Sequence, residues 1–266
     1  MKTIGFIGCG NMGSAMIGGI IAAGICDGAH LYASAPSMTN LTPLKDKYDI
    51  QISNDNISVA AHSDILFLAV KPAKFTEIIP EIRDAIKPDT IIVSIAAGKS
   101  ISDIEALFGK DIRLIRSMPN TPALVGEAMS ALCVSKNITP DETAEIEAIF
   151  NSFGKCEIVQ ESLMDCVTGV SGSSPAYVYM FIEAMADGAV ADGMPRAQAY
   201  KFAAQSVLGA AKMVLETGSH PGVLKDAVCS PGGTTIEAVA QLETGGLRST
   251  VINAQRACVN KSKNMH

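Results

Sequence analysis

Two stretches of the chain combine glycines and hydroxyl-bearing residues in patterns that can bind anions. The first is Gly8-Cys-Gly-Asn-Met-Gly13, which ends a short apolar run and precedes apolar residues at helical spacing. In this strand–turn–helix context, the first glycine permits a tight turn, the second lets the backbone approach a pyrophosphate, and the third lets the helix pack on the strand. The spacing therefore predicts a dinucleotide site at a helix N-terminus, where free N–H groups and the helix dipole favour negative charge.

The second stretch is Ser230-Pro-Gly-Gly-Thr-Thr235, which lies between predicted helices over 220–229 and 234–243. Unpaired N–H groups at the start of the second helix, together with two adjacent glycines, can hold a carboxylate. Thr235 would then place a hydroxyl beside whatever carries that carboxylate. An ordinary N-cap after a Pro-Gly turn accounts for the same residues. From the residues alone, both interpretations stay open.

The elements around the first site follow from the apolar patterning. Strands are predicted at 30–34, 64–70, 90–95, 111–116, 128–134 and 155–159. Helices are predicted at 75–86, interrupted near Pro80, and at 139–150, with Thr139 as N-cap and a proline at the first helical position. Strands that alternate with helices indicate an α/β fold with a doubly wound parallel sheet. In such a sheet, ligands bind beyond the carboxyl ends of the strands.

The end of the second predicted strand bears on the choice of dinucleotide. A carboxylate there would bind the ribose 2′-hydroxyl of NAD, whereas its absence leaves room for the 2′-phosphate of NADP. The sequence has Ser34-Ala-Pro-Ser37, with hydroxyls that can donate to a phosphate but no arginine to clamp it. NADPH is therefore favoured, and NADH stays open. Lys71, at the end of the next long strand, suits a surface role and a cofactor-side role equally well.

The C-terminal part is predicted to be helical. Helices are expected at 175–192, 195–216, 220–229, 234–243 and 247–262. We place the boundary near residue 160, with a dinucleotide-binding domain over 1–160 and an all-α domain over 161–266. The helix from Pro175 is apolar nearly all round, and a domain of roughly 100 residues has little capacity to bury it alone. The sequence therefore predicts a homodimer formed through the C-terminal domain.

Composition excludes several classes of protein. The 266 residues carry a net charge of −6 with a pI of about 5.2, which argues against nucleic acid or an anionic membrane as partner. No run of about 18 uncharged apolar residues predicts a transmembrane helix. The seven cysteines are odd in number and scattered, as expected in a reducing cytoplasm. No cluster has the spacing of a metal site.

The stretch from Pro221 to Glu243, P-x-x-L-x-x-x-V-C-S-P-G-G-T-T-x-x-A-V-x-x-L-E, resembles the signature of the pyrroline-5-carboxylate reductases. Further stretches resemble the same family: Gly5–Gly13, Ala69–Pro72, Ala96–Gly98, Met118–Pro122, Val167–Ala176 and Ala210–Met213. The resemblance implies NAD(P)H-dependent reduction of the small molecule L-Δ1-pyrroline-5-carboxylate to L-proline, the last step of proline biosynthesis. It also implies a Rossmann-type N-terminal domain and a helical domain that forms homodimers or higher homo-oligomers.

The same resemblance assigns the site. Thr235 would be the catalytic residue that hydrogen-bonds the ring nitrogen, while Ser230 and the backbone of Gly232, Gly233, Thr234 and Thr235 would bind the substrate carboxylate. The residues that would bind the cofactor are Gly8, Cys9, Gly10, Asn11, Met12, Gly13, Ser34, Pro36, Asn56, Ala69, Val70, Lys71, Pro72, Ala96, Ala97 and Gly98. The chain has Gly13 where some members have alanine, and it lacks an arginine at the end of the second strand.

Two alternatives come from other classes. A β-hydroxyacid dehydrogenase shares the layout but requires a lysine on the first long helix of the second domain, and 175–192 contains none. A non-catalytic NADPH-binding protein would bind the dinucleotide without turnover, and the Ser230–Thr235 stretch would then have no purpose.

Overall fold

The protein, in a computed structural model that describes residues 1–264, has a Rossmann-type N-terminal sheet followed by a mostly helical region, which confirms the predicted fold class. Its strands in the described part are β1 (Ile4–Ile7), β2 (Leu31–Ser34), β3 (Gln51–Ser53), β4 (Ile65–Leu68), β5 (Ile91–Ser94), β6 (Arg113–Met118), β7 (Ala128–Val134) and β8 (Gly154–Ile158).

The helices of the same residues are α1 (Asn11–Ala22), α2 (Thr42–Tyr48), α3 (Asn56–His62), α4 (Phe75–Ile82), α5 (Ile101–Phe108), α6 (Pro140–Asn151), α7 (Met164–Val167), α8 (Ser174–Ala191), α9 (Arg196–Thr217), α10 (Pro221–Ala227), α11 (Thr234–Thr244) and α12 (Leu247–Lys263). Short 3₁₀ turns lie at Gly28–His30, Met38–Asn40, Pro72–Lys74, Thr121–Val125 and Glu161–Leu163, and a π-helical turn lies at Thr168–Gly172. None of these described helices is long and apolar enough to cross a membrane.

The strand order β3-β2-β1-β4-β5-β6-β7-β8 reverses between β1 and β4. β1 is parallel to both of its neighbours, and Ile7 lies opposite Ser34 of β2 and Leu68 of β4. The three strands therefore end at the same level. A reversal of this kind opens a crevice at the carboxyl ends of the strands. It brings the loops that follow β1, β2 and β4 to one edge.

The prediction of an all-parallel sheet is wrong for its last two strands. β7 is antiparallel to β6, with Ile115 opposite Val134 and Met118 opposite Ala131, and β8 is parallel to β7. The connection from β6 to β7 holds only a 3₁₀ turn at Thr121–Val125. A parallel neighbour needs a crossover of a dozen or more residues. The short connection therefore forces the chain to return antiparallel.

Other differences concern short elements. β3, α2, α3 and α5 have eight residues or fewer, and the sequence analysis predicted none of them. The helix predicted over 75–86 ends at Ile82, and Pro80 lies inside it without interrupting it. Proline lacks a backbone N–H and so removes one helical hydrogen bond, but the helix continues for two residues beyond it. The predicted start of the 139–150 helix is confirmed, because Thr139 is the N-cap and Pro140 the first helical residue.

Both faces of the sheet are covered, which accounts for the continuous apolar runs of its central strands. β1 and β4 are buried throughout. On one face, Phe6 stacks on Phe67 with ring centroids 4.7 Å apart, and Phe67 contacts Phe150 of α6. On the other face, a second cluster includes Phe75 of α4. The crevice is therefore built on a rigid support.

Residues Met1–Ser173, with the described residues from Cys258 on, form one compact unit, and Ser174–Ala257 form the other. In the second unit, α8 and α9 pack through Ala186, Ala199 and Ala203. These alanines are its only buried apolar residues among those the structure describes. The predicted boundary near residue 160 stays a prediction.

Thr139 caps α6 in a reciprocal arrangement, since its hydroxyl accepts from the backbone N–H of Glu142 and the Glu142 carboxylate accepts from the Thr139 N–H. We expect Thr139→Ala to lower the free energy of unfolding by about 1 kcal/mol. Thr139→Ser keeps the hydroxyl and should lie close to the parent. Chemical denaturation of the three proteins measures this. Equal stability of the alanine and serine variants would contradict the capping role.

Candidate active site

The glycine-rich loop after β1 has the conformation that its sequence predicts. Gly8 has a positive φ of 86°, and its N–H donates to the Ser34 carbonyl at 2.9 Å. A Cβ at this position would lie 2.5 Å from Cγ1 of Val70 and 2.7 Å from the Ala69 carbonyl oxygen. At Gly13, a Cβ would lie 3.2 Å from the Gly8 carbonyl oxygen. The absence of a side chain at these two glycines therefore lets β1, β4 and α1 pack closely together.

Gly10 differs from its two neighbours in the motif. It is the N-cap residue of α1, with a φ of −83° that any residue can adopt and no side-chain cap. A Cβ at Gly10 would meet no protein atom within 4 Å. The missing side chain thus leaves open space in front of the unpaired N–H groups of the first turn. This cradle fits the pyrophosphate of a dinucleotide.

Cys9 lies between Gly8 and Gly10 and is buried. Burial raises the pKa of the Cys9 thiol, and its contact with the Ser14 hydroxyl lowers it by less. The thiol therefore stays protonated near neutral pH. It adds no negative charge beside the anion cradle.

A cavity of about 300 Å³ opens at the carboxyl ends of β1, β2 and β4. Of the predicted cofactor residues, it brings together Gly8, Pro36, Asn56 and Val70. Ser34 does not line this cavity: it is fully buried, and its hydroxyl donates to Oδ1 of Asn56 at 2.7 Å. The cavity is within the size range of small-ligand sites. Its position beside the end of β2 suits the adenosine half of a dinucleotide.

The remaining predicted cofactor residues follow the same strand ends. Ala96 is buried after β5, and Gly98 has a positive φ of 70° in the turn that leads to α5. Lys71 is exposed after β4. The other members of the set, placed in the loops and helix starts at this edge, are Asn11, Met12, Ala69, Pro72 and Ala97.

The Ser230–Thr235 stretch lies in the second unit and forms a turn before α11. The N–H of Gly233 donates to the Ser230 carbonyl at 3.0 Å, and Gly232 has a positive φ of 67°. The N-cap of α11 is Gly233, and no side chain caps the helix. Thr234 and Thr235 are thus the first two helical residues. The interpretation of Thr235 as an N-cap is wrong, and no side chain caps the first N–H groups of α11.

Sequence reasoning missed four polar residues that line the 300 Å³ cavity, namely Asn54, Lys74, Glu77 and Glu81. The last three lie on or just before α4. These residues could have been found from the position of α4, because a helix that begins after the carboxyl end of β4 has its first two turns near the ligand edge. Within the described residues, no group of three or more His, Cys, Asp or Glu is arranged to hold a metal ion.

Fold and site together define an oxidoreductase that binds a nicotinamide dinucleotide on a Rossmann-type sheet. Residues 3–98 match a protein-family model described as NADP oxidoreductase, coenzyme F420-dependent. Residues 161–265 match a model described as pyrroline-5-carboxylate reductase dimerisation.

Relatives define the class more narrowly. The chain is 51% identical over 264 residues to the pyrroline-5-carboxylate reductase of Escherichia coli, covering 99% of this chain and 98% of the relative. It is 46% identical to that of Methanosarcina acetivorans, with the same coverage. The pyrroline carboxylate reductase of Plasmodium falciparum, solved with NADP bound, is similar in structure with a TM-score of 0.90 at 34% identity, covering 99% of this chain and 98% of that one. The chain belongs to the pyrroline-5-carboxylate reductase family.

This membership confirms the resemblance found in the sequence and the expectation of an NAD(P)H-dependent oxidoreductase. Prephenate dehydrogenase from A. aeolicus is similar with a TM-score of 0.56 at 14% identity, covering 93% of this chain and 98% of that one, which is a likeness of fold alone. The roles of individual site residues stay predictions.

The contrast between Gly8 and Gly10 gives a test of the dinucleotide site. Gly10→Val should abolish NADPH binding and leave the stability near that of the parent, because the side chain would fill only the anion cradle. Gly8→Ala should instead destabilise the fold, because alanine is strained at a φ of 86° and its Cβ would clash with residues 69 and 70. Calorimetric titration and thermal unfolding measure the two effects. A folded Gly10→Val protein with unchanged NADPH affinity would contradict this assignment.

Proposed function

We propose that the protein reduces L-Δ1-pyrroline-5-carboxylate to L-proline with NADPH, and thereby completes proline biosynthesis. The observation that carries this proposal is the uncapped start of α11, where a Ser-Pro-Gly-Gly turn presents free N–H groups next to a threonine hydroxyl. Membership of the family supports it. The substrate has the two groups that such a site would bind, a carboxylate and a ring nitrogen next to it.

Different residues would bind the substrate carboxylate and orient the C=N bond. The N–H groups at the start of α11, with Ser230, bind the substrate carboxylate. The Thr235 hydroxyl hydrogen-bonds the ring nitrogen and orients the C=N bond. Bound NADPH supplies the hydride that adds to the C=N carbon, while the nitrogen carries the proton. Because a protonated imine is already electrophilic, alignment of the reactants is the main task left to the protein.

The cofactor contacts that we propose are those predicted from the sequence. The open cradle at Gly10 would hold the pyrophosphate, and the cavity beside Pro36 and Asn56 would hold the adenosine half. NADPH is the proposed cofactor, in keeping with the relative solved with NADP. NADH is the alternative to be measured beside it.

We propose a homodimer formed through residues 161–266, with assembly into a higher oligomer as a further possibility to be measured. In the single chain, Ala186 is the only buried residue of α8, and Tyr179, Met180 and Phe181 are exposed. A helix that is apolar on all sides and exposed on most of them needs a covering partner. For the location we propose the cytoplasm, since all seven cysteines are unpaired.

One assay tests the function directly. NADPH oxidation is followed by absorbance with L-Δ1-pyrroline-5-carboxylate and, in parallel, with a panel of small hydroxy acids and their oxo forms. We expect turnover with the imine only and formation of L-proline as the product. Turnover with an oxo acid in its place would favour a β-hydroxyacid dehydrogenase. NADPH binding without any turnover would favour a non-catalytic protein.

Thr235 provides the test of the substrate site. Loss of one hydrogen bond to the reacting nitrogen is worth about 1–3 kcal/mol, so Thr235→Ala should lower kcat/KM by roughly ten- to a hundredfold. Affinity for NADPH should stay close to that of the parent. Thr235→Ser retains the hydroxyl and should keep most of the activity. Normal turnover of the alanine variant would remove Thr235 from the catalytic role.

The proposed dimer is tested by its mass in solution. Light scattering at decreasing concentration should give at least twice the 27.8 kDa of the chain. Met180→Glu would place a charge among the exposed apolar residues of α8 and should weaken assembly and lower thermal stability together. A parent protein that stays a stable monomer would contradict the proposal.

A further inference from the structure

The side chain of Asn56 is held by two partners at the edge of the 300 Å³ cavity. Its Oδ1 accepts a hydrogen bond from the Ser34 hydroxyl at 2.7 Å. Its Nδ2 donates to Oε2 of Glu81 at 3.0 Å. Asn56 is half-buried at the start of α3, whereas Glu81 lies near the end of α4. Two helices that follow different strands are thus joined through one amide group.

Only one of these partners determines which way the amide points. A serine hydroxyl can donate or accept, so Ser34 would satisfy either orientation of the Asn56 amide. A carboxylate can only accept, so Glu81 requires Nδ2 on its side. Glu81 therefore fixes the position of the Asn56 nitrogen. One of the two Nδ2 hydrogens goes to Glu81, and the second is left.

The place of this group in the fold suggests what the second hydrogen binds. Ser34 ends β2, at the position that contacts the ribose 2′ substituent in dinucleotide-binding sheets. In this chain Ser34 is fully buried and does not line the cavity, whereas Asn56, its hydrogen-bond partner, does. At the end of β2, the hydrogen-bond donor that lines the cavity is therefore the Asn56 amide and not the Ser34 hydroxyl.

The charged side chains that line the cavity are one lysine and two glutamates. Lys74 is the one lysine or arginine among the described residues that line it, and Lys74 forms an ion pair with Glu77 at 2.7 Å. Glu81 is occupied by Asn56. Lys74 and the Asn54 amide can also donate into the cavity, and the Asn56 N–H is the donor there that a carboxylate holds in place.

We propose that Glu81 is a positioning residue for the cofactor, which acts through Asn56 and favours NADPH over NADH. It holds the Asn56 amide so that its second N–H donates to the 2′-phosphate. The proposal rests on the proposed function only in taking a nicotinamide dinucleotide as the ligand. Hydrogen bonds to a charged oxygen are roughly twice as strong as those between neutral groups. The same donor therefore contributes more to NADPH than to NADH, which carries a hydroxyl there.

The experiment compares Glu81→Ala with Glu81→Gln by calorimetric titration of the full chain with NADPH and with NADH. Both variants remove the negative charge, but glutamine keeps a carbonyl oxygen that can accept from Asn56. Asp84→Ala removes a charge from an exposed residue just beyond α4 and serves as the control. Asn56→Ala, alone and combined with Glu81→Ala, tests whether the effect passes through Asn56.

Because an amide released from Glu81 must be ordered again on binding, we expect Glu81→Ala to raise the Kd for NADPH about five- to tenfold relative to Glu81→Gln. The Kd for NADH should rise by less than about twofold, since the acceptor there is neutral. The KM for NADPH should follow its Kd while kcat is unchanged. In the Asn56→Ala background, Glu81→Ala should have no further effect, as expected for coupled residues.

Three outcomes would overturn the proposal. These are equal Kd values for NADPH in Glu81→Ala and Glu81→Gln, equal losses for NADPH and NADH, and an additive effect in the double variant. Thermal unfolding of each variant separates lost affinity from lost fold. A failure of the proposed function would look different, because the parent would then bind NADPH without reducing L-Δ1-pyrroline-5-carboxylate, and the binding comparison would still be informative.

Discussion

The close approach of Gly8 to the end of β4 is the contact on which the cofactor edge depends. A positive φ at Gly8 turns the chain sharply out of β1, and its N–H is tied to the end of β2. No side chain could fit between this turn and Ala69 or Val70. Because of this contact, the start of α1 lies directly over the point where the strand order reverses. The three loops around that point can then share one ligand.

The helical unit follows the opposite packing rule. Its internal contacts use alanines, which let α8 and α9 lie close together, while most of its large apolar side chains remain at the surface. A monomeric domain normally buries such residues against each other. The sheet unit is thus stabilised within one chain, whereas the helical unit has most of its apolar surface available for contacts with another chain.

Sequence patterns predicted the long helices and strands well, but they missed the short elements and the direction of β7. The predicted limits of β7 match those observed, and α8, α9, α11 and α12 agree within one or two residues, because each spans at least seven residues of one continuous pattern. β3 and α2 lack such a pattern. The antiparallel direction of β7 depends on the short connection between β6 and β7, and the apolar pattern of a strand does not specify its direction. A proline is also a weaker helix terminator than its propensity suggests, as Pro80 shows.

In the site, the glycines were predictable because each has a backbone reason that is visible in the motif. Ser34 was correctly placed at the end of β2, but its burial and its hydrogen bond to Asn56 were not predictable, since Asn56 lies 22 residues away. The absence of a cap at α11 was equally hidden. A threonine at the start of a helix is usually taken for its cap, and only the backbone shows that Gly233 occupies that position. Glu81 belongs to no recognisable sequence motif, and only the structure shows that its carboxylate accepts a hydrogen bond from Asn56.

The antiparallel return of β7 also gives the ligand edge an electrostatic direction. Strands β1 to β5 are each followed by a helix, and each of those helices begins on the same side of the sheet with its positive dipole end. β6 is followed by a turn and a returning strand, which contribute no such dipole. The helix N-termini that favour an anion therefore lie at the part of the edge formed by β1 to β5. In this way a chain with a net charge of −6 can still favour a polyanion at one part of the sheet edge.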